Sequence, residues 1–163
     1  MYAFMTTGTT HFLKNLTESY PKINFYFMKQ AGTTLVYYEG TKKKGVFVSG
    51  KTYSIITEYG IVEQSGFTSM QHIPVMEDVK PVFEDKISQP FSHLKLVHGV
   101  KGTRLLKPIK GNTYVVFILW ASERDYLTWS KTNDDFTQLV RQPAYFGERP
   151  FTHTYRMLKE DDE

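Results

Sequence analysis

The sequence predicts an α+β protein with a ferredoxin-like second half, and three observations carry that prediction. The chain has 163 residues, of which 40% are apolar and 15% aromatic, enough for a compact body that hides about two-thirds of its unfolded surface. Residues 66–158 read as β-α-β-β-α-β, the ferredoxin-like order. Residues 1–63 read as a shorter, looser version of a similar order, and no Pro-rich or Ser-rich linker separates the two stretches. Two halves packed as one body are therefore expected, with boundaries at 1–63, 64–159 and a frayed acidic tail at 160–163.

In the first half, Tyr2 to Gly8 is short and apolar-rich and reads as a strand. Thr9 or Thr10 caps a helix whose face carries Phe12, Leu13 and Leu16, and Pro21 marks the loop after it. Ile23 to Met28 reads as a strand covered on both faces. Thr33 to Glu39 is rich in β-formers, and Ala31-Gly32 before it predicts a hairpin. Val46 to Val48 is a further short strand candidate. Lys51 to Tyr59 carries Tyr53, Ile55, Ile56 and Tyr59 with Gly60 as a stop, which predicts a short helix.

In the second half, Phe67 to Met76 is extended. Strand alternation puts Phe67, Ser69, Gln71 and Ile73 on one face and Thr68, Met70 and His72 on the other. Glu77 to Ser88 reads as a helix with Pro81 in its first turn and Pro90 closing it. Val100 to Ile109 and Thr113 to Ala121 flank the hairpin signal Lys110-Gly111-Asn112. Ser122-Glu123-Arg124-Asp125 opens a helix in the capping-box manner. That helix bears Tyr126, Leu127 and Trp129. Thr132 or Asn133 re-caps a segment with Phe136, Leu139 and Val140, and Pro143 ends it. Phe151 to Leu158 is the final strand.

Composition excludes several kinds of chemistry. There is no Cys, so disulfides, thiolate metal sites, Fe–S clusters and a Cys nucleophile are absent. The net charge of +3 is spread along the chain, without the concentrated basic stripe of a nucleic-acid binder. Its densest cluster, Lys42-Lys43-Lys44, sits among turn residues and reads as a solvated loop. The eight-residue run from Tyr114 to Ala121 is far short of the ~20 residues of a membrane helix, and Met1 to Phe4 has no secretory features. A cytoplasmic protein without membrane or nucleic-acid partners is expected. The five histidines show neither H-x-x-x-H nor H-E-x-x-H spacing, and no G-x-S-x-G, P-loop or G-x-G-x-x-G motif occurs. Trp129, Phe136 and Val140 share one helical face if the helix continues. That face either packs on the sheet or lines a flat apolar pocket beside it.

Three stretches carry a family resemblance. They are Thr7-Gly8-Thr9-x-x-Phe12-Leu13, the arm Gly102-x-Arg104-x-Leu106-x-Pro108, and Thr113-Tyr114 through Trp120 to Trp129. In order and spacing they resemble the antibiotic-biosynthesis-monooxygenase superfamily. The two-part heme-degrading monooxygenases of the Isd and HmoB type are most similar, and the TRAP-type signalling proteins share the layout. The resemblance implies a dimeric α+β barrel arrangement in which residues 1–63 form a degenerate αβ unit against the catalytic unit. A monomer with an internal pseudo-dimer is expected, a homodimer being the alternative. It also implies heme in a cleft between sheet and helices, as substrate and as oxygen-activating cofactor, with iron released and electrons supplied by a reductase.

Carried over by position, Trp129 matches the tryptophan that crowds and distorts the porphyrin. Gln71 falls where the family has an Asn that hydrogen-bonds near the distal oxygen, and keeps a side-chain amide. The iron-ligating His position falls at Leu139, which cannot ligate. Either another residue supplies the ligand, with His72 and His93 as the candidates, or the iron binds differently, or the site does no chemistry. Phe67, Ser69, Ile73, Phe136, Leu139 and Val140 are the expected lining of a heme cleft, and Arg104, Lys95 or Arg141 the cations for propionates. The expected activity is a heme oxygenase serving iron acquisition. The alternatives are a non-enzymatic, TRAP-like signalling protein and a cofactor-free monooxygenase acting on a small aromatic substrate.

Overall fold

The structure is a computed structural model and describes residues 1–141 and 147–159. Its elements are β1 (Tyr2–Gly8), α1 (Thr10–Glu18), β2 (Tyr26–Gln30), β3 (Thr33–Gly40), β4 (Lys51–Gly60) and β5 (Phe67–Pro74), then α2 (Lys80–His93), β6 (Val100–Pro108), β7 (Thr113–Trp120), α3 (Glu123–Ser130), α4 (Asp135–Val140) and β8 (Phe151–Met157). The strands close into an antiparallel barrel in the order β1-β3-β2-β8-β5-β7-β6-β4. The first four strands stand as β4-β1-β3-β2 and the last four as β8-β5-β7-β6, so both halves use one strand order. The α+β, ferredoxin-like expectation holds for the architecture.

Pleating decides which side chains go inside. Ala3 and Met5 of β1, Tyr37 of β3, Met70 of β5, Phe117 of β7 and Tyr155 of β8 point inward and fill the barrel. The outward face of β5 to β7 forms a second core with α2, α3 and α4. Ile73, Tyr114, Val116 and Trp120 meet Phe83, Ile87 and Phe91 of α2, Trp129 of α3 and Phe136 of α4 there. The alternation read from residues 67–73 is therefore the observed one: Phe67 and Ile73 face the helices and Met70 faces the barrel interior.

Local signals explain most element ends. The Thr9 hydroxyl accepts from the Phe12 amide and starts α1, although Phe12 itself is exposed. Ala31 takes φ 52° in the β2–β3 hairpin. Ser122 caps α3 through the Asp125 amide. Where the halves meet, buried Arg104 donates to Glu39 Oε2 at 2.7 Å, to the Tyr59 carbonyl at 2.9 Å and to the Gly60 carbonyl at 3.3 Å. This ties β6 to β3 and β4 and leaves the guanidinium compensated in the interior.

Several expectations are corrected. Lys51–Gly60 is a strand and not a helix; its bulge between Ile55 and Thr57 breaks the two-residue alternation and mimics helical spacing. Gly60 is no helix stop. It has φ +68°, and an added Cβ would lie 2.1 Å from the Lys101 carbonyl oxygen. Val46–Val48 is irregular, held by a hydrogen bond from the Val46 amide to the Tyr38 hydroxyl at 2.8 Å. The second strand begins at Tyr26, not Ile23. Pro90 lies inside α2, not beyond it. Asp134, not Thr132 or Asn133, caps α4, because its carboxylate accepts from the Thr137 amide. Pro143 and the 160–163 tail lie outside the described residues. Among the described residues, no helix is long and apolar enough to cross a membrane.

Candidate functional site

A cleft of about 460 Å³ opens between the outward face of the β5–β8 strand pair and helices α3 and α4. Its size suits a small organic ligand. Gln71 and Thr152 form the sheet side, while Tyr126, Trp129 and Val140 form the helix side. Gln71 and Thr152 are register partners, and the Thr152 hydroxyl donates to Gln71 Oε1 at 2.6 Å. That bond holds the Gln71 side chain. Its amide N–H groups make no protein hydrogen bond among the described residues and are free to donate into the cleft.

Trp129 is held from behind. Its indole Nε1 donates to Asp134 Oδ2 at 2.8 Å, and Asp134 Oδ1 accepts from the Thr137 amide at 2.8 Å. One carboxylate thus caps α4 and orients the indole. Trp120 (5.3 Å between ring centroids) and Phe136 (5.9 Å) pack against the ring, and Tyr126 lies 6.4 Å away. The Tyr126 phenol is pushed up by burial and stays protonated at neutral pH.

Charge in the cleft has one sign. Arg141 and Arg149 line it, and among the described residues no Asp, Glu or His does. Among the described residues, the Arg141 guanidinium makes long contacts of 3.4–3.5 Å with Ser130, Thr132 and Asn133. An anionic group on a bound molecule would meet two guanidinium forks there.

Of the residues expected from the sequence, Gln71, Trp129 and Val140 come together in this cleft, joined by Arg141. The others do not. Phe67, Ile73 and Phe136 are core residues beneath the helices, and Leu139 packs against that core. Ser69 is buried and accepts from Trp120 Nε1 at 2.9 Å. Arg104 is committed to Glu39 inside the protein, and Lys95 is exposed in the 3-10 turn Leu94–Leu96. Neither substitute histidine reaches the cleft. His72 faces the other way and stacks on Phe151 at 4.7 Å, with His153 at 5.0 Å. Burial, with His153 and Lys51 nearby, lowers its pKa to about 4. His93 Nδ1 pairs with Asp135 Oδ2 at 2.6 Å on the surface. Among the described residues, no cluster of three metal-ligating side chains occurs.

Sequence reading missed Tyr126, Ser130, Thr137, Arg149 and Thr152 as lining residues. Tyr126 stands three residues before Trp129, and alternation in the last strand puts Thr152 outward, so both had a signal. Arg149 had none, because nothing in its neighbourhood says where the chain returns to the sheet.

No family model matches the chain. A heme-degrading monooxygenase of Listeria monocytogenes is 26% identical over 141 residues, 85% of this chain and 84% of the relative. A signal transduction protein TRAP of Staphylococcus aureus is 28% identical over 147 residues, 88% of this chain and 87% of the relative. An uncharacterised ferredoxin-fold protein of Listeria monocytogenes, related to antibiotic biosynthesis monooxygenases, superposes with a TM-score of 0.81 at 23% identity over 97% of this chain and 94% of its own. The resemblance to that superfamily is borne out, with relatives bearing both the monooxygenase and the TRAP names.

Proposed function

We propose that the chain is a heme-degrading monooxygenase that holds heme as substrate between the sheet and helices α3 and α4, cleaves the porphyrin with O2 and electrons from an external reductase, and releases iron. The observation that supports it is the meeting of Trp129, Gln71 and two arginines, Arg141 and Arg149, in one cleft. In this reading the unit bearing the cleft is residues 64–159, and residues 1–63 are a degenerate copy that completes the barrel.

The roles follow from the chemistry of the side chains. Trp129, clamped by Asp134, presents a rigid ring that presses on a flat ligand and favours a distorted one. Gln71, fixed by Thr152, donates a hydrogen bond toward oxygen at the cleft floor. Arg141 and Arg149 meet the propionate carboxylates. Tyr126 and Val140 complete the apolar wall. The residues fit the porphyrin and its carboxylates, but no imidazole among the described residues faces the cleft to ligate the iron.

That last observation favours a second reading, a TRAP-like protein that signals without turnover, since Leu139 stands where the ligand His is expected and packs into the core. A hemin titration followed by ascorbate and catalase under air separates the two. The expected result is a saturable Soret band that bleaches with stoichiometric iron release. Trp129→Ala should slow bleaching more than it weakens binding, and Trp129→Phe, which keeps a ring in the core, should fall between. A band that does not bleach, or no saturable band, overturns the enzymatic reading and favours the signalling one.

A further inference from the structure

A second cleft, of about 740 Å³, lies away from the first and shares no lining residue with it. Its walls are the 41–50 loop after β3 and the β6–β7 turn at 109–112. Four lysines line it: Lys43, Lys44, Lys51 and Lys110. Among the described residues no Asp or Glu does, and none of the four lysine side chains makes an ion pair or hydrogen bond. Between them the surface is apolar. Phe47 and Ile109 are half-buried and Val48 is fully exposed.

Both walls are fixed. The 41–50 loop is pinned by the Val46 amide on the Tyr38 hydroxyl (2.8 Å) and by the Thr6 hydroxyl donating to the Ser49 carbonyl (2.6 Å). Gly45 lies so close to the Phe4 ring that a Cβ would sit 2.5 Å from it. The 109–112 turn is held by Ile109 N on the Thr52 carbonyl (3.0 Å), by Val75 N on the Asn112 carbonyl (2.8 Å), and by Lys80 Nζ on the Gly111 carbonyl (3.1 Å). The lysines are therefore carried on anchored backbone: residues 42–44 are the exposed loop expected from sequence, and Lys43 and Lys44 within it line the cleft.

We propose that this cleft binds a small amphipathic anion, a molecule with an apolar body and a carboxylate or phosphate group. Ammonium groups without carboxylate partners attract and hydrogen-bond such a head group, and their repulsion is relieved when it binds. Phe47, Val48 and Ile109 offer the body a surface whose burial is favourable. The concave shape between two loops suits a molecule of this size better than a flat membrane surface. The inference does not depend on heme binding at the other cleft.

The test is an amide N–H chemical-shift titration of the full chain with naphthalene-2-carboxylate, and in parallel with its uncharged carboxamide. The expected result is saturable shifts confined to residues 43–52 and 109–113, with the carboxamide about tenfold weaker. Lys43→Glu/Lys110→Glu should weaken the carboxylate by about tenfold or more, while Lys22→Glu/Lys95→Glu, with the same change of net charge, should not. Equal affinity for the two probes, an equal loss in both double variants, or shifts centred on Gln71 and Trp129 would overturn the proposal. So would binding to phosphatidylglycerol vesicles without any response to the soluble acid. The lysines are exposed, so their replacement leaves the fold intact, and unchanged amide spectra of the free variants check this.

Discussion

The two outer faces of the barrel are laid on the same strand order, yet helices arch over one and a loop with its aromatic rings packs onto the other. In the second half, outward-facing Gln71 stands between Val116 of β7 and Thr152 of β8, and helices α3 and α4 arch over it to leave a cleft. In the first half, outward-facing Phe4 stands between Tyr38 of β3 and Thr52 of β4. There the segment between β3 and β4 is the irregular 41–50 loop and not a helix pair. Phe4 stacks on Tyr38 at 4.6 Å, and Phe25 and Phe47 meet Tyr38 at 5.1 and 5.3 Å. The aromatic rings cover the strands directly, and the lysine-lined cleft opens beside them, between the 41–50 loop and the 109–112 turn. Strand topology supplies a platform, and the connection after the third strand of each half decides what kind of cleft is built on it.

The largest effect should come from removing a ring from the aromatic-covered face. Phe4 is 2% exposed and is touched by Tyr38 and by the backbone at Gly45. Phe4→Ala is expected to cost about 3–5 kcal/mol, because the pinned loop above it cannot collapse into the void. The urea midpoint at constant m-value measures this. A loss below about 1 kcal/mol would mean that the ring cluster is loosely packed and that the contrast between the two faces is superficial.

The site half was the more legible from sequence, for physical reasons that particular residues show. Residues 67–73 alternate without interruption, so the outward direction of Gln71 could be read directly. Ser122 and the Lys110-Gly111-Asn112 turn act through neighbours three residues away or fewer, and they fell where expected. Residues 51–60 failed because a bulge shifts the register after Ile55, and the shifted pattern imitates a helical stripe. Asp134 stands just past Thr132 and Asn133, which read as the cap. Its bond to Trp129 Nε1 depends on how α3 turns into α4, which spacing alone does not fix. The lysine cleft joins residues about sixty apart in sequence through the β4–β6 pairing, and the strand misread as a helix hid that pairing.

A smaller effect tests the open face by closing it in the manner of the other half. Gln71→Phe places a ring between Tyr126, Trp129 and Thr152, as Phe4 lies against Tyr38. Gln71 is only partly buried, so the change should alter stability by less than about 1 kcal/mol. Hemin affinity should fall roughly tenfold to a hundredfold, read from the Soret titration. Unchanged affinity would show that the ligand does not use the cleft floor, and would separate the heme reading from this geometry.

The smallest effect concerns the inward faces. Met5 of β1 points into the barrel and is 5% exposed. In β5 an inward position near the strand end holds His72, whose buried Nε2 has no hydrogen-bond partner among the described residues. Its pKa, lowered to about 4 by burial and then by His153 and Lys51, keeps it neutral in the fold. The unfolded chain takes up a proton below the ordinary value of 6.5 and the native chain does not. Stability therefore carries no penalty from His72 above pH 6.5 and is lost as pH falls from 6.5 toward 4, by about 1 kcal/mol after allowing for partial exposure. Replacing it with the residue the first half uses, His72→Met, should remove that loss. Urea midpoints at pH 7.5, 6 and 4.5 give the difference directly, since carboxylates common to both chains cancel. If His72→Met falls as steeply as the parent chain, the acid sensitivity lies elsewhere, and the histidine is as neutral a filler as the methionine across the barrel.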